Sequence, residues 1–99
     1  MSISIQLIAI DIDGTLLDNQ GKLPPPNRLA VNNALSAGIR IVVVTGRAFH
    51  HALPTAKLLG PDITLIVSNG ALTKKLDGST LASRLIPREN ALAIIAATR

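Results

Sequence analysis

The chain has 99 residues, 47% of them apolar, with no cysteine, tryptophan or tyrosine and a formal net charge of +4. Such a length bounds it to one domain. The missing cysteines exclude a disulfide framework and thiolate metal sites, and the scattered basic residues, with Phe49 as the single aromatic, exclude a stacking surface for nucleic acid.

The start, MSISIQLIAI, lacks the basic opening and small-residue cleavage site of a signal peptide. No apolar run approaches the ~20 residues that span a bilayer. The expectation is a cytoplasmic protein with neither membrane nor nucleic-acid partners. The mild positive charge suits an anionic small substrate.

Residues 5–10 form a near-continuous apolar run rich in isoleucine, the pattern of a parallel strand buried on both faces. Residues 14–23 hold Gly14, Asn19, Gln20 and Gly21 and read as a loop. Pro24-Pro25-Pro26 suits the first turn of a helix, and Leu29, Ala30, Val31, Ala34, Leu35 and Ala37 carry it until Gly38 ends it. The run IRIVVV at 39–44 is a second buried strand and is followed by Thr45-Gly46-Arg47.

A second helix is expected over 48–59, kinked or shifted by Pro54. ITLIV at 63–67 is a third strand, followed by Ser68-Asn69-Gly70. Asp77-Gly78 between two alternating segments marks a hairpin. A last apolar-faced helix opens at Pro87. The order predicts an α/β fold, a partial three-layer Rossmann-like core. Its two βαβ units place parallel strands in the order 1-2-3, with right-handed crossovers.

In such sheets the site lies at the carboxyl ends of the strands, and three polar clusters fall there: Asp11/Asp13, Thr45-Gly46-Arg47 and Ser68-Asn69-Gly70. Strand alternation sends Asp11 and Asp13 to the same side and Ile12 to the other. Two carboxylates that close repel, and a hard cation such as Mg²⁺ relieves the repulsion while keeping water and substrate oxygens in its shell. One carboxylate can then attack phosphorus, and the other can protonate the leaving oxygen and activate water. Thr45 offers a hydroxyl, Gly46 a close backbone approach, and Arg47 a fork for an anion. A calcium loop is excluded because the ligand spacing and closing glutamate are missing. The neighbouring His50 and His51 face different ways on a helix and do not make a metal site. Asp18 reads as a turn residue, and Glu89 as a first-turn acid of the last helix.

DIDGTLLD, then VVVTGR, then SNGA, in this order, resembles the haloacid dehalogenase superfamily of phosphohydrolases. The nearer likeness is to the subclass with an α/β cap, the Cof-like sugar phosphatases. The resemblance implies Asp11 as the nucleophile that becomes an aspartyl phosphate, and Asp13 as general acid/base with its backbone carbonyl on Mg²⁺. It implies that the Ile12 N–H, the Thr45 hydroxyl and the Gly46 N–H hold the phosphoryl group. It also implies that Arg47 and Asn69 sit toward the substrate entrance. The activity implied is Mg²⁺-dependent hydrolysis of small phosphorylated metabolites, with sugar phosphates the class this subclass implies.

The family pattern also has a later lysine and a later Gly-Asp-x-x-x-Asp/Asn segment. Neither occurs here, and Lys74 and Lys75 in the hairpin are poor substitutes. The expected division is residues 1–80 as the N-terminal part of the core and 81–99 as the start of the cap, with the rest absent. A 1-2-3 sheet leaves the first strand as an open apolar edge, so the chain is expected to oligomerise or swap elements there, or to be completed by a C-terminal half. A phosphotransferase or mutase would use the same aspartates. A non-catalytic remnant that binds Mg²⁺ and phosphate weakly is the non-enzymatic alternative.

Overall fold

The computed structural model describes residues 4–98. In chain order they form β1 (Leu7–Asp11), α1 (Pro25–Ser36), β2 (Arg40–Val44), α2 (Phe49–Leu59) and β3 (Thr64–Val67). A short 3-10 turn (Ser68–Gly70), β4 (Leu72–Lys75), β5 (Thr80–Ser83) and α3 (Arg88–Thr98) follow. One five-stranded sheet has the order β1-β2-β3-β4-β5. β1, β2 and β3 run parallel, and β4 and β5 continue the sheet antiparallel. The α/β fold with strands 1-2-3 is as the sequence reads. The docking of the Asp77-Gly78 hairpin onto β3 is new: Thr64 pairs with Lys75 and Val67 with Leu72.

The first strand starts at Leu7, not at residue 5, because its partner begins there: Leu7 lies opposite Arg40, the first residue of β2. Proline opens α1 as expected. Pro24 is extended (φ −61°, ψ 139°), and prolines occupy the first helical positions, whose N–H groups have no helical partner anyway. Gly38 ends the helix at φ 83°. Its N–H donates to the Leu35 carbonyl, and that of Ile39 to the Ala34 carbonyl, the two bonds of a Schellman motif. Pro54 does not break α2, which runs through it from Phe49 to Leu59. Proline there costs the N–H that would reach the carbonyl of residue 50, and His50 is solvent-exposed, where water can replace that donor.

The core lies on one face of the sheet. Ile12, Ile41, Val43, Ile63, Leu65 and Val67 are its largest fully buried side chains. α2 closes over them with Ala52, Ala56 and Leu59, and α1 with Val31. Small alanines on α2 let the helix approach the branched strand residues closely. On the other face Val42, Val44 and Ile66 are half-buried, and Leu7 and Ala9 are exposed. Of the three layers, the sheet and the α1/α2 layer are thus filled.

α3 buries no residue, and Leu92, Ile94 and Ile95 are each more than half exposed. The accessible surface is 7052 Å², against about 5,400 Å² expected for a compact chain of 10.4 kDa. The radius of gyration, 16.1 Å, likewise exceeds the ~13 Å of a typical domain of this length.

Candidate active site

The parallel register brings the three polar clusters together. Asp11 ends β1 opposite Val44, the last residue of β2, and Val44 lies opposite Ile66 of β3. The segments that follow these strand ends therefore leave the sheet side by side. Asp11 and Asp13 are exposed and Ile12 is fully buried, the alternation that puts both carboxylates on one side. The chain then winds back tightly. Leu16 N–H donates to the Asp11 carbonyl at 3.1 Å and Leu17 N–H to the Ile12 carbonyl at 2.9 Å. Buried Leu16 and Leu17 anchor that turn in the core, and Asn27 of α1 pins it by donating from Nδ2 to the Leu16 carbonyl at 2.9 Å. Asn27 was not among the sequence candidates; its position behind three prolines was the available signal. Asp18 is a turn residue, its Oδ1 accepting the N–H groups of Gln20 and Lys22.

The second loop is tied to the third. Thr45 is buried, and its Oγ1 accepts the Arg47 N–H at 3.0 Å. Thr45 N–H donates to the Ile66 carbonyl, Ser68 N–H to the Arg47 carbonyl and Asn69 N–H to the Thr45 carbonyl. To make these bonds Ser68 and Asn69 both adopt left-handed backbone, φ 52° and 56°. For non-glycine residues such a conformation is uncommon, though Asn tolerates it better than most. Ser68, which the sequence places in the third polar cluster without a role of its own, ties the third loop to the second through its N–H.

Gly46 fits under Asn69. A Cβ at position 46 would stand 2.7 Å from Asn69 Oδ1. Replacing Gly46 by Ala is expected to push the Asn69 side chain off the loop and cost about 1 kcal/mol. Asn69→Ala in the same chain should restore most of that loss, read as the melting temperatures of the two single variants and the double.

Arg47 reaches across the loop gap to Asp13. Its Nε donates to Asp13 Oδ2 at 3.0 Å and its Nη2 to Oδ1, a two-bond fork on the carboxylate. Among the described residues this is the only salt bridge. The hydrogen bond from Arg47 is the main force that holds the Asp13 carboxyl below the ordinary carboxylate range; desolvation opposes it and the guanidinium charge adds to it. The same bond raises the Arg47 pKa.

A carboxyl whose folded pKa lies below its unfolded value contributes stability above the unfolded pKa. That contribution is lost as pH falls through the folded one. Both groups are exposed to solvent, so the contribution is small. In an NMR titration Asp13 is expected to protonate below the ordinary range of about pH 4, and Arg47→Gln should move its midpoint up.

Lys75 lies at the far end of the sheet, since it pairs with Thr64, the first residue of β3, and Lys74 pairs with Leu65. Lys74 Nζ donates to the Gly78 carbonyl at 3.2 Å and sits 5.2 Å from the centre of the Phe49 ring. The Lys74 ammonium is thus engaged by the hairpin carbonyl and the Phe49 ring.

The donor chemistry suits a hard cation in part. Asp11 presents its carboxylate at the strand end, Asp13 would turn its backbone carbonyl to a cation because Arg47 holds both its carboxylate oxygens, and Mg²⁺ takes one or two carboxylates while keeping waters and substrate oxygens. Among the described residues no group of three or more His, Cys, Asp or Glu is clustered, so the remaining ligands would be water, substrate or residues beyond these. No helix among the described residues is long and apolar enough to cross a membrane.

Parallel strands that deliver a carboxylate pair, a buried threonine and a glycine loop to their carboxyl ends define an open-sheet α/β protein with its site at that edge. The particular family follows from comparison with known proteins. A profile of haloacid dehalogenase-like hydrolases matches residues 8–99, and the chain belongs to that family. It is 34% identical over 91 residues to the phosphatase YwpJ of Bacillus subtilis, covering 92% of this chain and 32% of that protein. It is 34% identical over 90 residues to the 5-amino-6-(5-phospho-D-ribitylamino)uracil phosphatase YwtE of the same organism, covering 91% of this chain and 31% of that one. Among solved structures, a haloacid dehalogenase-like hydrolase from B. subtilis superposes with a TM-score of 0.84 at 33% identity, covering 94% of this chain and 33% of that one. The chain thus spans about a third of the length of the relatives it matches.

Proposed function

We propose that the site performs Mg²⁺-dependent hydrolysis of a phosphate monoester on a small metabolite, a sugar phosphate being the expected class. The observation that carries this reading is the pair Asp11/Asp13 on one side of a strand end, beside a loop that offers Thr45 and Gly46. Asp11 attacks phosphorus, a bond forms from its carboxylate oxygen, and the bond from phosphorus to the leaving oxygen breaks. In its protonated form Asp13 gives its proton to that oxygen. Asp13, now ionised, takes a proton from water as the water attacks the aspartyl phosphate, which releases inorganic phosphate and restores Asp11. The Ile12 N–H, Thr45 Oγ1 and the Gly46 N–H hold the phosphoryl oxygens, and Arg47 and Asn69 border the approach. Asp11 and Asp13 would hold Mg²⁺, which when bound would supply charge neutralisation for the phosphoryl group.

The same reading assigns residues 1–80 to the first part of the catalytic core and 81–99 to the start of a cap. In it, a cationic side chain for the phosphoryl group and further acidic metal ligands come from outside these 99 residues. The lengths of the relatives support this. The test is hydrolysis of para-nitrophenyl phosphate with Mg²⁺ and with a chelator. Turnover that needs the cation is expected; turnover unmoved by chelation would remove Mg²⁺ from the reading.

A second reading is favoured by the surface. Among the described residues β1 is an unpaired edge of the sheet, and Leu7 on it is 52% exposed. Such an edge invites another strand, from a second copy, by exchange of an element, or from a complementary chain. In this reading the 99 residues are an assembling module with weak Mg²⁺ and phosphate binding and no turnover. A monomer by sedimentation at high concentration would exclude the second copy.

A further inference from the structure

The fork of Arg47 on Asp13 creates a competition that the reaction has to resolve. A phosphate arriving at Gly46 meets two carboxylates and needs a positive charge. Among the described residues, the cation hydrogen-bonded at this end of the sheet is Arg47, and its Nε and Nη2 are already given to Asp13. That edge of a guanidinium is one with which it binds a carboxylate or a phosphate through two parallel bonds. Asp13, in turn, has both carboxylate oxygens engaged, and an acid that serves a leaving group needs one of them free.

Geometry favours a side-chain exchange over a loop movement. The Arg47 backbone is fixed on both sides: its N–H donates to Thr45 Oγ1, and its carbonyl accepts the Ser68 N–H. Its side chain is long, and the pair is open to water, with side-chain exposures of 31% for Arg47 and 62% for Asp13. Exposed ion pairs are weakly held, and a phosphate dianion carries more charge than the carboxylate it would replace.

We propose that the Asp13–Arg47 pair is a latch released by the phosphate itself: the anion takes the Nε/Nη2 edge of Arg47 and so frees the Asp13 carboxyl for the leaving-group oxygen. The inference rests on the phosphatase reading above. It makes Arg47 a positioning residue that serves Asp13 in the free protein and the phosphoryl group in the complex. No covalent step is involved, only an exchange of hydrogen bonds.

The test is a double-mutant cycle on the binding of inorganic phosphate, by calorimetry, without added divalent cation, so that metal effects stay out. The proteins are the wild type, Asp13→Asn, Arg47→Gln and the double variant. Removing the Asp13 charge strengthens anion binding in any background. If Arg47 is latched, the gain is larger where Arg47 is present, about tenfold, against about twofold in the Arg47→Gln chain. Equal gains in both backgrounds would overturn the latch and leave the phosphate site standing. No phosphate binding by any of the four would overturn the phosphate site itself, and the latch with it.

The Arg47 Nε–H resonance gives a second readout on the wild type alone. It should be protected from exchange in the free protein and shift on addition of phosphate. A resonance that phosphate does not move while calorimetry records binding also overturns the proposal.

Discussion

Asp11→Asn is expected to abolish hydrolysis of para-nitrophenyl phosphate in the presence of Mg²⁺, by a factor on the order of 10⁴ or more. The size follows from the role: an amide oxygen is a far poorer nucleophile than a carboxylate and a poorer ligand for a hard cation, so one substitution removes both functions. The fold should survive it. Asp11 is exposed at the end of an edge strand, and its backbone carbonyl, which accepts the Leu16 N–H, is untouched. A melting temperature equal to that of the wild type would separate lost chemistry from lost structure. Equal turnover in both proteins would show the activity to be a contaminant's. No turnover in either would assign the chemistry to an assembly larger than these 99 residues.

The parts of this site that were legible in the sequence are those in which a local pattern decides a local structure. LIAID and RIVVV are strands because β-branched runs of that length bury on a sheet, and DID alternates because a strand does. Proline and Gly38 punctuate α1 through their own backbone limits. What was not legible depends on partners distant in sequence. Arg47 and Asp13 lie 34 residues apart, and nothing local to either predicts the fork. Given strands 1 and 2 side by side with Asp11 opposite Val44, it becomes reachable, because both residues then leave neighbouring strand ends. The left-handed Ser68 and Asn69 were hidden for a related reason. Ser-Asn-Gly announces a turn, but the glycine draws the eye, while the hydrogen bonds to Thr45 and Arg47 select the two residues before it. Pro54 announces a kink or shift, and α2 runs through it from Phe49 to Leu59. The hairpin was legible and its docking on β3 was not, since Thr73 and Lys74 carry little apolar signal on their own.

The largest stability effect is expected at Leu65, and it tests where the cooperative core ends. Leu65 is fully buried in β3, between Val43 of β2 and Lys74 of β4 in the sheet, and belongs to the cluster that α2 covers. Truncation to Ala removes a buried isopropyl group and leaves a cavity in the cluster that holds Ala52 and Ala56, small residues with little reach to fill it; such changes cost about 2–5 kcal/mol. A domain of this length holds roughly 5–15 kcal/mol in total. The uncovered sheet face and the unburied α3 place this chain toward the lower end. Leu65→Ala should therefore lower the urea midpoint by ~2 M, or leave no folded baseline. Leu92→Ala on α3 is the contrasting change. Its side chain is 53% exposed, and a shift within about 0.5 kcal/mol is expected. If the two substitutions cost the same, α3 must be packed in solution against something that one copy of the chain does not provide. The same comparison at several protein concentrations would then tell a second copy from a fold-back of the helix onto its own sheet, because only association makes the midpoint depend on concentration.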